Sequence, residues 1–415
     1  MAEIQFGPIK ACQICTNPNL VLILSLGHQP PVHSHLTMAK KQEPELTFPL
    51  NLVFCRECLL VQLDYAVDPN ILFPPEYPYN TGMTNMLILN FRELAKNLIK
   101  NYELGPQDLV IDIGSNDGTL LKGFQELGLP VLGIEPTDVA NLANSRAIPT
   151  IKNFFSTSVA EKIVAEHGQA RVITSTNVFA HIYDIYGVLK GINMLLADDG
   201  IFVSESQYLL DIVENLEVDT IYHEHVRYYA LKPLMALFAR ASFSIIDAER
   251  TEAAGGSIRV LAKKGTHALS ERAQKLIATE EAAGLYDEQT LLTFADRCLI
   301  AKRNLMTLLL DCKKEGATIA AIGAPGRSNT LLNFVHIDDS ILSYAGERNT
   351  SPKIGLFSPG MHIPIVDEAQ IINNQPEYAL VLSWHIGHEL MKKIRELGFK
   401  GKFIVPLPEP KIIAC

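Results

Sequence analysis

Positive charge is scarce in this sequence. Lys and Arg number 36 against 46 Asp and Glu, a formal net charge of -10. A protein that grips nucleic acid non-specifically needs a basic face for the phosphates, so that class is excluded. A polybasic membrane-surface protein is excluded on the same ground, although a local basic pocket for a small phosphorylated ligand is not. No apolar run reaches the roughly 20 residues a membrane helix needs. Met1 to Lys10 carries Glu3 and Pro8 and no apolar stretch, so a secretory signal peptide is not expected there. Short-period repeats and low-complexity tracts are missing as well. The expectation is a soluble, cytoplasmic chain with no nucleic-acid or membrane partner. Its oligomeric state is not legible.

What is present is enough for two or three domains: 415 residues, 47% of them hydrophobic. Up to about Pro75 the chain lacks helical periodicity and is rich in Pro, His and short apolar runs. Leu87, Phe91, Leu94, Ala95 and Leu98 then mark a helix over 85–102. Strands and helices alternate after it, with strands at 109–113, 131–134, 171–175 and 200–204 and helices at 119–127, 141–146 and 185–196. That order predicts a doubly wound, mostly parallel sheet. A helical stretch over 268–314 leads to a second α/β pattern, with strands at 318–322, 378–383 and 403–406 and helices at 330–335 and 387–397. The fold class is therefore α/β: a small zinc-binding N-terminal domain (1–75), a Rossmann-like domain (76–262), and a second Rossmann-like domain (263–415) joined by the long helical segment.

Four of the seven cysteines form two C-x-x-C units, Cys12/Cys15 and Cys55/Cys58. Each unit can put two thiolates on one turn, and two such turns complete a tetrahedral S4 site for Zn²⁺. With no open coordination position, this metal would be structural. Redox or core cysteines are the alternatives, and the pairing of two units favours zinc. The nearby His28, His33 and His35 are expected to be surface or loop histidines.

Asp112-Ile-Gly114-Ser115-Asn116-Asp117-Gly118 reads as strand end, glycine loop and helix start. Gly114 permits a tight turn and close approach of a ligand, and Gly118 lets the helix pack near the strand. Asn116 stands where a dinucleotide fingerprint has its middle glycine, the residue that makes room for a pyrophosphate. S-adenosylmethionine has no pyrophosphate. Asp112 suits its cationic amino-acid tail, and Glu135, ending the next strand, is placed for both ribose hydroxyls. An NAD(P)-dependent enzyme is the weaker alternative, and a plain glycine turn the bland one.

Tyr222-His223-Glu224-His225 packs a phenol, two imidazoles and a carboxylate into four positions. Imidazole titrates near neutrality and suits proton transfer. An extended backbone points His223 and His225 one way and Tyr222 and Glu224 the other, whereas a tight turn lets all four converge. A metal site lacks the i, i+4 spacing of H-E-x-x-H, and a hydrogen-bonded strand end is the remaining alternative. A zinc-ribbon scaffold, a binding protein without catalysis, has no need of such a run. His181 follows the 171–175 strand, at the sheet edge where ligands meet. Tyr77 and Tyr79 flank Pro78 at the junction with the zinc segment. Gly323-Ala-Pro-Gly-Arg327 resembles an anion-binding turn, with Arg327 placed to fork a phosphate. Lys302, Arg303, Arg348 and Lys353 are further basic candidates, and Trp384 and His385 either line that pocket or pack.

Together these motifs, with Asn177 to His181, Gly255-Gly-Ser-Ile-Arg259, Pro359 to Pro364 and Pro406 to Pro410, resemble the three-domain sugar C-methyltransferases, which act on nucleotide-linked 4-keto-deoxysugars. The resemblance covers nearly the whole chain. It implies that the middle domain binds S-adenosylmethionine, with Asn177 joining Asp112 to Gly118 and Glu135. It implies a carboxyl-terminal domain that helps to hold the nucleotide-sugar, expected to be linked to thymidine diphosphate, with Tyr77, His223, Arg327 and Arg348 on the substrate. Tyr79, His181, Tyr222, Glu224 and His225 are then expected around the reacting sugar. His225 would be the base, tuned by Glu224 and helped by Tyr222. His181 would donate to an enolate oxygen, and the methyl group would go to the carbon beside the ketone, C3.

Overall fold

The structure is a computed structural model, and it describes residues 6–77, 80–83 and 85–414. Tyr79, with Pro78, lies outside the described residues.

The N-terminal segment is a four-stranded antiparallel sheet in the order Arg227–Tyr228, Val61–Leu63, Phe48–Cys55, Leu20–Gln29. Its first strand comes from far along the chain. Arg227 pairs with Gln62 and Tyr228 with Val61, which ties the segment just after the His-rich run to the cysteine-bearing sheet.

The middle sheet has seven strands. Their order is Phe243–Thr251, Ser257–Lys264, Leu196–Gln207, Ala170–Thr176, Val110–Ile113, Val131–Ile134, Thr150–Ile151. Ser257–Lys264 is antiparallel to both neighbours, and the pairings from Leu196–Gln207 outward are parallel. The four residues of Val110–Ile113 are all buried, as expected for a strand covered by helices on both faces. Asn85–Asn101 and Thr119–Gln125 pack their Phe91, Leu94, Leu98, Leu120 and Phe124 against it.

The third sheet runs Ile365–Asp367, Ala345–Glu347, Ile319–Ile322, Tyr378–Val381, Lys402–Val405, Lys411–Ile413, parallel except for its last strand. One hydrophobic core runs through all three parts, from Cys12 and Ile14 through Ile111 and Phe179 to Leu380 and Leu407.

Two expectations are revised and one feature is new. The helical stretch over 268–314 is two helices, Glu271–Ala282 and Glu288–Lys314, each started by an N-cap side chain, Ser270 on the amide of Ala273 and Asp287 on that of Gln289. The helix expected over 330–335 begins earlier, as Gly326–Val335, with Pro325 extended at its N-cap. The hairpin Phe243–Thr251/Ser257–Lys264 is not evident from the sequence, since a register shift between Ile245 and Asp247 breaks the alternation of its first strand and the second is buried on both faces over Ser257–Ala262.

Candidate active site

A cavity of about 860 Å³ opens at the carboxyl ends of the middle sheet's parallel strands and is closed by all three parts of the chain. This is where ligands bind in open α/β sheets. Asp112, Gly114, Ser115, Asn116, Glu135 and Asn177 line it. The backbone turns sharply here: Asn116 and Asn177 both take left-handed conformations, φ 49° and 56°, which a short polar side chain tolerates. Gly114 is also left-handed, and a Cβ there would sit 2.4 Å from Val178.

Asp112 accepts from the Thr174 hydroxyl at 2.7 Å, and burial pushes its carboxyl up to about 7. Glu135 accepts from the amide and hydroxyl of Thr137, at 2.9 and 2.6 Å, and from the Asn116 amide at 3.1 Å. Ser115 Oγ and Asn177 Oδ1 are buried with no hydrogen-bond partner. Buried polar groups are normally paired, so these two orphans beside Asp112 fit a polar, cationic ligand.

Two loop residues behave differently. Asp117 faces away from the cavity, accepting from the Gly82 amide (3.1 Å), the Thr119 hydroxyl (2.6 Å) and Arg146 (2.9 Å). Gly118 packs against Ile148, 2.9 Å from its would-be Cβ, which is the close helix approach expected of it.

At the other end of the cavity, residues 222–225 form a turn closed by the His225 amide on the Tyr222 carbonyl, 2.9 Å. Tyr222, Glu224 and His225 line the cavity. His223 does not. Its Nε2 lies 3.2 and 3.3 Å from the Pro49 and Phe48 carbonyls, so the turn uses it to anchor on the N-terminal sheet rather than on a substrate.

His225 Nδ1 faces the Thr220 carbonyl at 2.8 Å. A carbonyl only accepts, so Nδ1 carries the proton and Nε2 holds the lone pair. The tautomer is thus set by Thr220, not by Glu224 as expected. The His225 ring stands 4.0 Å from that of Tyr222 and 5.0 Å from that of His181, between centroids. Burial holds His225 well below the usual imidazole range and His181 down to about 4, so both rings are neutral at pH 7. His181 stacks on Phe73, and its Nε2 has no hydrogen-bond partner.

Glu224 is 2% exposed, accepts from the Tyr77 hydroxyl at 2.9 Å through Oε2, and lies 3.9 Å from His33 Nε2 through Oε1. Burial pushes its carboxyl up to about 8, against a smaller downward pull from Tyr77. At neutral pH it is therefore protonated, and Oε1 has an O–H to give.

His33 corrects an expectation. It is no surface histidine: it lines the cavity and meets Tyr77 edge-on at 5.0 Å. Gly326 makes this possible, because a Cβ there would come within 2.6 Å of the His33 ring. The Pro30-Pro31 pair, which stiffens the preceding chain, was the available signal.

The carboxyl-terminal part contributes Arg327, Glu347, Arg348, Ser351, Lys353 and His385 to the same cavity. Lys353 is drawn in by a bond to the Ala324 carbonyl, 2.7 Å, and burial lowers its amine from the usual range. Arg327 does not stand open for a phosphate. Its guanidinium forks Asp219 at 2.9 and 2.7 Å and touches Glu217 at 3.0 Å. Trp384 bonds to the same Asp219 at 2.9 Å. Lys302 is not among the cavity residues; it lies over the Phe334 ring.

Away from the cavity, the sulfurs of Cys12, Cys15, Cys55 and Cys58 all lie within 4.8 Å of one another, with Cys12–Cys58 at 3.3 Å and Cys15–Cys55 at 3.4 Å. Four thiolates at about 2.3 Å from one zinc ion stand roughly 3.8 Å apart, so the cluster fits that metal.

Across 412 residues the chain is 33% identical to the C-methyltransferase NovU of Streptomyces niveus, covering 98% of both chains. The chain belongs to the S-adenosylmethionine-dependent C-methyltransferase family. Residues 12–73 match a zinc binding domain family, 87–248 a methyltransferase domain family, and 252–408 the C-methyltransferase C-terminal domain family. Among solved structures, magnesium protoporphyrin IX methyltransferase of Synechocystis PCC 6803 with bound SAM is 14% identical, covering 43% of this chain and 79% of that one, TM-score 0.33. A methyltransferase of Clostridium acetobutylicum is 13% identical, covering 43% and 92%, TM-score 0.35. As a C-methyltransferase, the chain uses S-adenosylmethionine as its methyl donor, and its zinc binding domain carries the four-cysteine cluster.

No helix among the described residues is long and apolar enough to cross a membrane.

Proposed function

We propose that this enzyme methylates C3, the carbon beside the ketone, of a nucleotide-linked 4-keto-deoxysugar. The observation that carries the reading is the meeting in one cavity of His225, its Nε2 lone pair fixed by the Thr220 carbonyl, with the buried carboxyl of Glu224, which burial pushes up to about 8. Methylating a hydroxyl or an amine also removes a proton, but methylating the carbon beside a ketone asks in addition for donors to the oxygen that gathers the enolate charge.

The residues divide the work accordingly. S-adenosylmethionine, when bound, supplies an electrophilic methyl on a sulfonium. Asp112, Ser115, Asn177 and Glu135 hold it, Asp112 toward the ammonium and Glu135 toward the ribose. His225 Nε2 takes the proton from the carbon next to the ketone, and the adjacent Tyr222 ring fixes its plane. His181 and the O–H of Glu224 donate to the enolate oxygen. Tyr77 closes the site from the N-terminal side.

Arg348 and Lys353, on the carboxyl-terminal side, fit the diphosphate of a thymidine-diphosphate sugar. With four cysteines on zinc, the other two among the described residues, Cys298 and Cys312, are buried and unpaired, which suits a reducing cytoplasm. The test is incubation with S-adenosylmethionine and a panel of thymidine-diphosphate 4-keto-deoxysugars, read by mass spectrometry. Gain of one methyl on a panel member supports the reading, and no gain on any of them rejects it.

A further inference from the structure

Arg327 opens the Gly326–Val335 helix and is 8% exposed. Its guanidinium forks Asp219, which is wholly buried, and reaches Glu217. Trp384 adds its indole N–H to Asp219, and its ring lies 5.5 Å from the guanidinium carbon. A cation and an indole from the carboxyl-terminal part therefore grip two carboxylates of the segment at 217–220.

That segment is a single tight turn. The Thr220 amide bonds to the Glu217 carbonyl at 3.0 Å, and the Ile221 amide to the Val218 carbonyl at 3.2 Å. The residue after Asp219 is Thr220, whose carbonyl holds the proton on His225 Nδ1. A buried ion pair adds little net stability but fixes geometry well, and breaking one is costly.

We propose that Arg327 is a positioning residue for His225: through Asp219 it sets the Thr220 carbonyl, and so the tautomer of the imidazole that faces the reacting carbon. The carboxyl-terminal domain then does more than hold substrate. Its docking completes the base. The clamp takes its importance from the assignment of His225 as base, and the test separates the two.

The experiment is nitrogen-15 NMR of the full-length, zinc-loaded protein with labelled imidazoles, without substrate. The His225 signal is the one absent from His225→Gln. The wild type is expected to show one form, Nδ1 protonated and Nε2 bare. Arg327→Met is expected to bring in the Nε2–H form, with S-adenosylhomocysteine affinity unchanged by calorimetry. If Arg327→Met does not fold, Arg327→Lys is read instead, since an ammonium cannot reproduce the fork; the same mixture is expected. A folded variant in which His225 stays wholly Nδ1-protonated overturns the clamp. A merely structural contact would lower the melting temperature and leave the tautomer alone. Full turnover in His225→Gln would instead remove the base assignment, a result independent of the tautomer reading.

Discussion

The Tyr77 hydroxyl donates to Glu224 at 2.9 Å and so joins the end of the N-terminal segment to the turn that carries the proposed base. Burial and this bond pull the Glu224 carboxyl in opposite directions, and burial wins, lifting it to about 8. Turnover that needs the O–H of Glu224 falls as pH rises through that value. Tyr77→Phe removes the downward pull, so the alkaline limb of the kcat profile moves to higher pH. Glu224→Gln keeps an N–H donor that does not titrate, so the limb flattens. An unchanged limb in Glu224→Gln contradicts the role.

The same burial fixes how stability depends on pH. Between its unfolded value of 4.5 and about 8, Glu224 is protonated in the native state and ionised in the unfolded one. The unfolded state binds fewer protons there, so the contribution is fully present below 4.5 and is lost as pH rises through 8. Buried histidines work oppositely. His181 and His223, lowered to about 4, contribute stability above 6.5 that is lost as pH falls toward 4. Urea unfolding of Glu224→Gln and wild type at pH 5 and pH 8.5 checks the first sign: the variant gains on the wild type at the higher pH.

Asp112, raised to about 7 by burial, must ionise to pair with the ammonium of the cofactor. S-adenosylhomocysteine affinity is expected to rise from pH 6 to pH 8 with release of a proton. Asp112→Asn loses that dependence and binds about tenfold more weakly, in line with a lost charge-assisted bond. Calorimetry in two buffers of different ionisation heat measures the proton.

His225→Asn keeps the size of the site and removes the base. Its turnover is expected to fall by about 10²–10⁴-fold, with S-adenosylhomocysteine affinity intact. A variant with wild-type turnover in a steady-state assay speaks against His225.

Much of this was legible in the residues, and what was not has physical causes. The glycine loop with Asp112, the two C-x-x-C turns and the alternating strands are local patterns, and the fold bears them out. The Tyr222–His225 run was legible as a cluster, but not which way each ring points. His223 turns to the Pro49 carbonyl, 174 residues away in sequence, and to that of Phe48, because the pairing of Arg227 with Gln62 and Tyr228 with Val61 places it there. His33 does lie in a loop, but its place in the cavity is not legible because its neighbours, Tyr77 and Gly326, are distant in the chain. Arg327 had the context of a phosphate ligand, yet Asp219 and Glu217, invisible as partners in one dimension, claim it.

The zinc site yields one further expectation. Each thiolate is one of four ligands, and Cys12 and Cys55 are buried in the core that the N-terminal sheet shares with the rest of the chain. Cys55→Ser is expected to lose the metal, read as zinc per chain by plasma mass spectrometry, and to lower the melting temperature. Retention of one zinc per chain contradicts the four-thiolate assignment.

The central claim is that the methyl group is joined to carbon. It is tested most directly by NMR of the product made with carbon-13 methyl S-adenosylmethionine and a thymidine-diphosphate 4-keto-6-deoxysugar. The account predicts a methyl carbon bonded to C3 of the ring, with one C3 hydrogen replaced. A methoxy signal, with the methyl on oxygen, would contradict it.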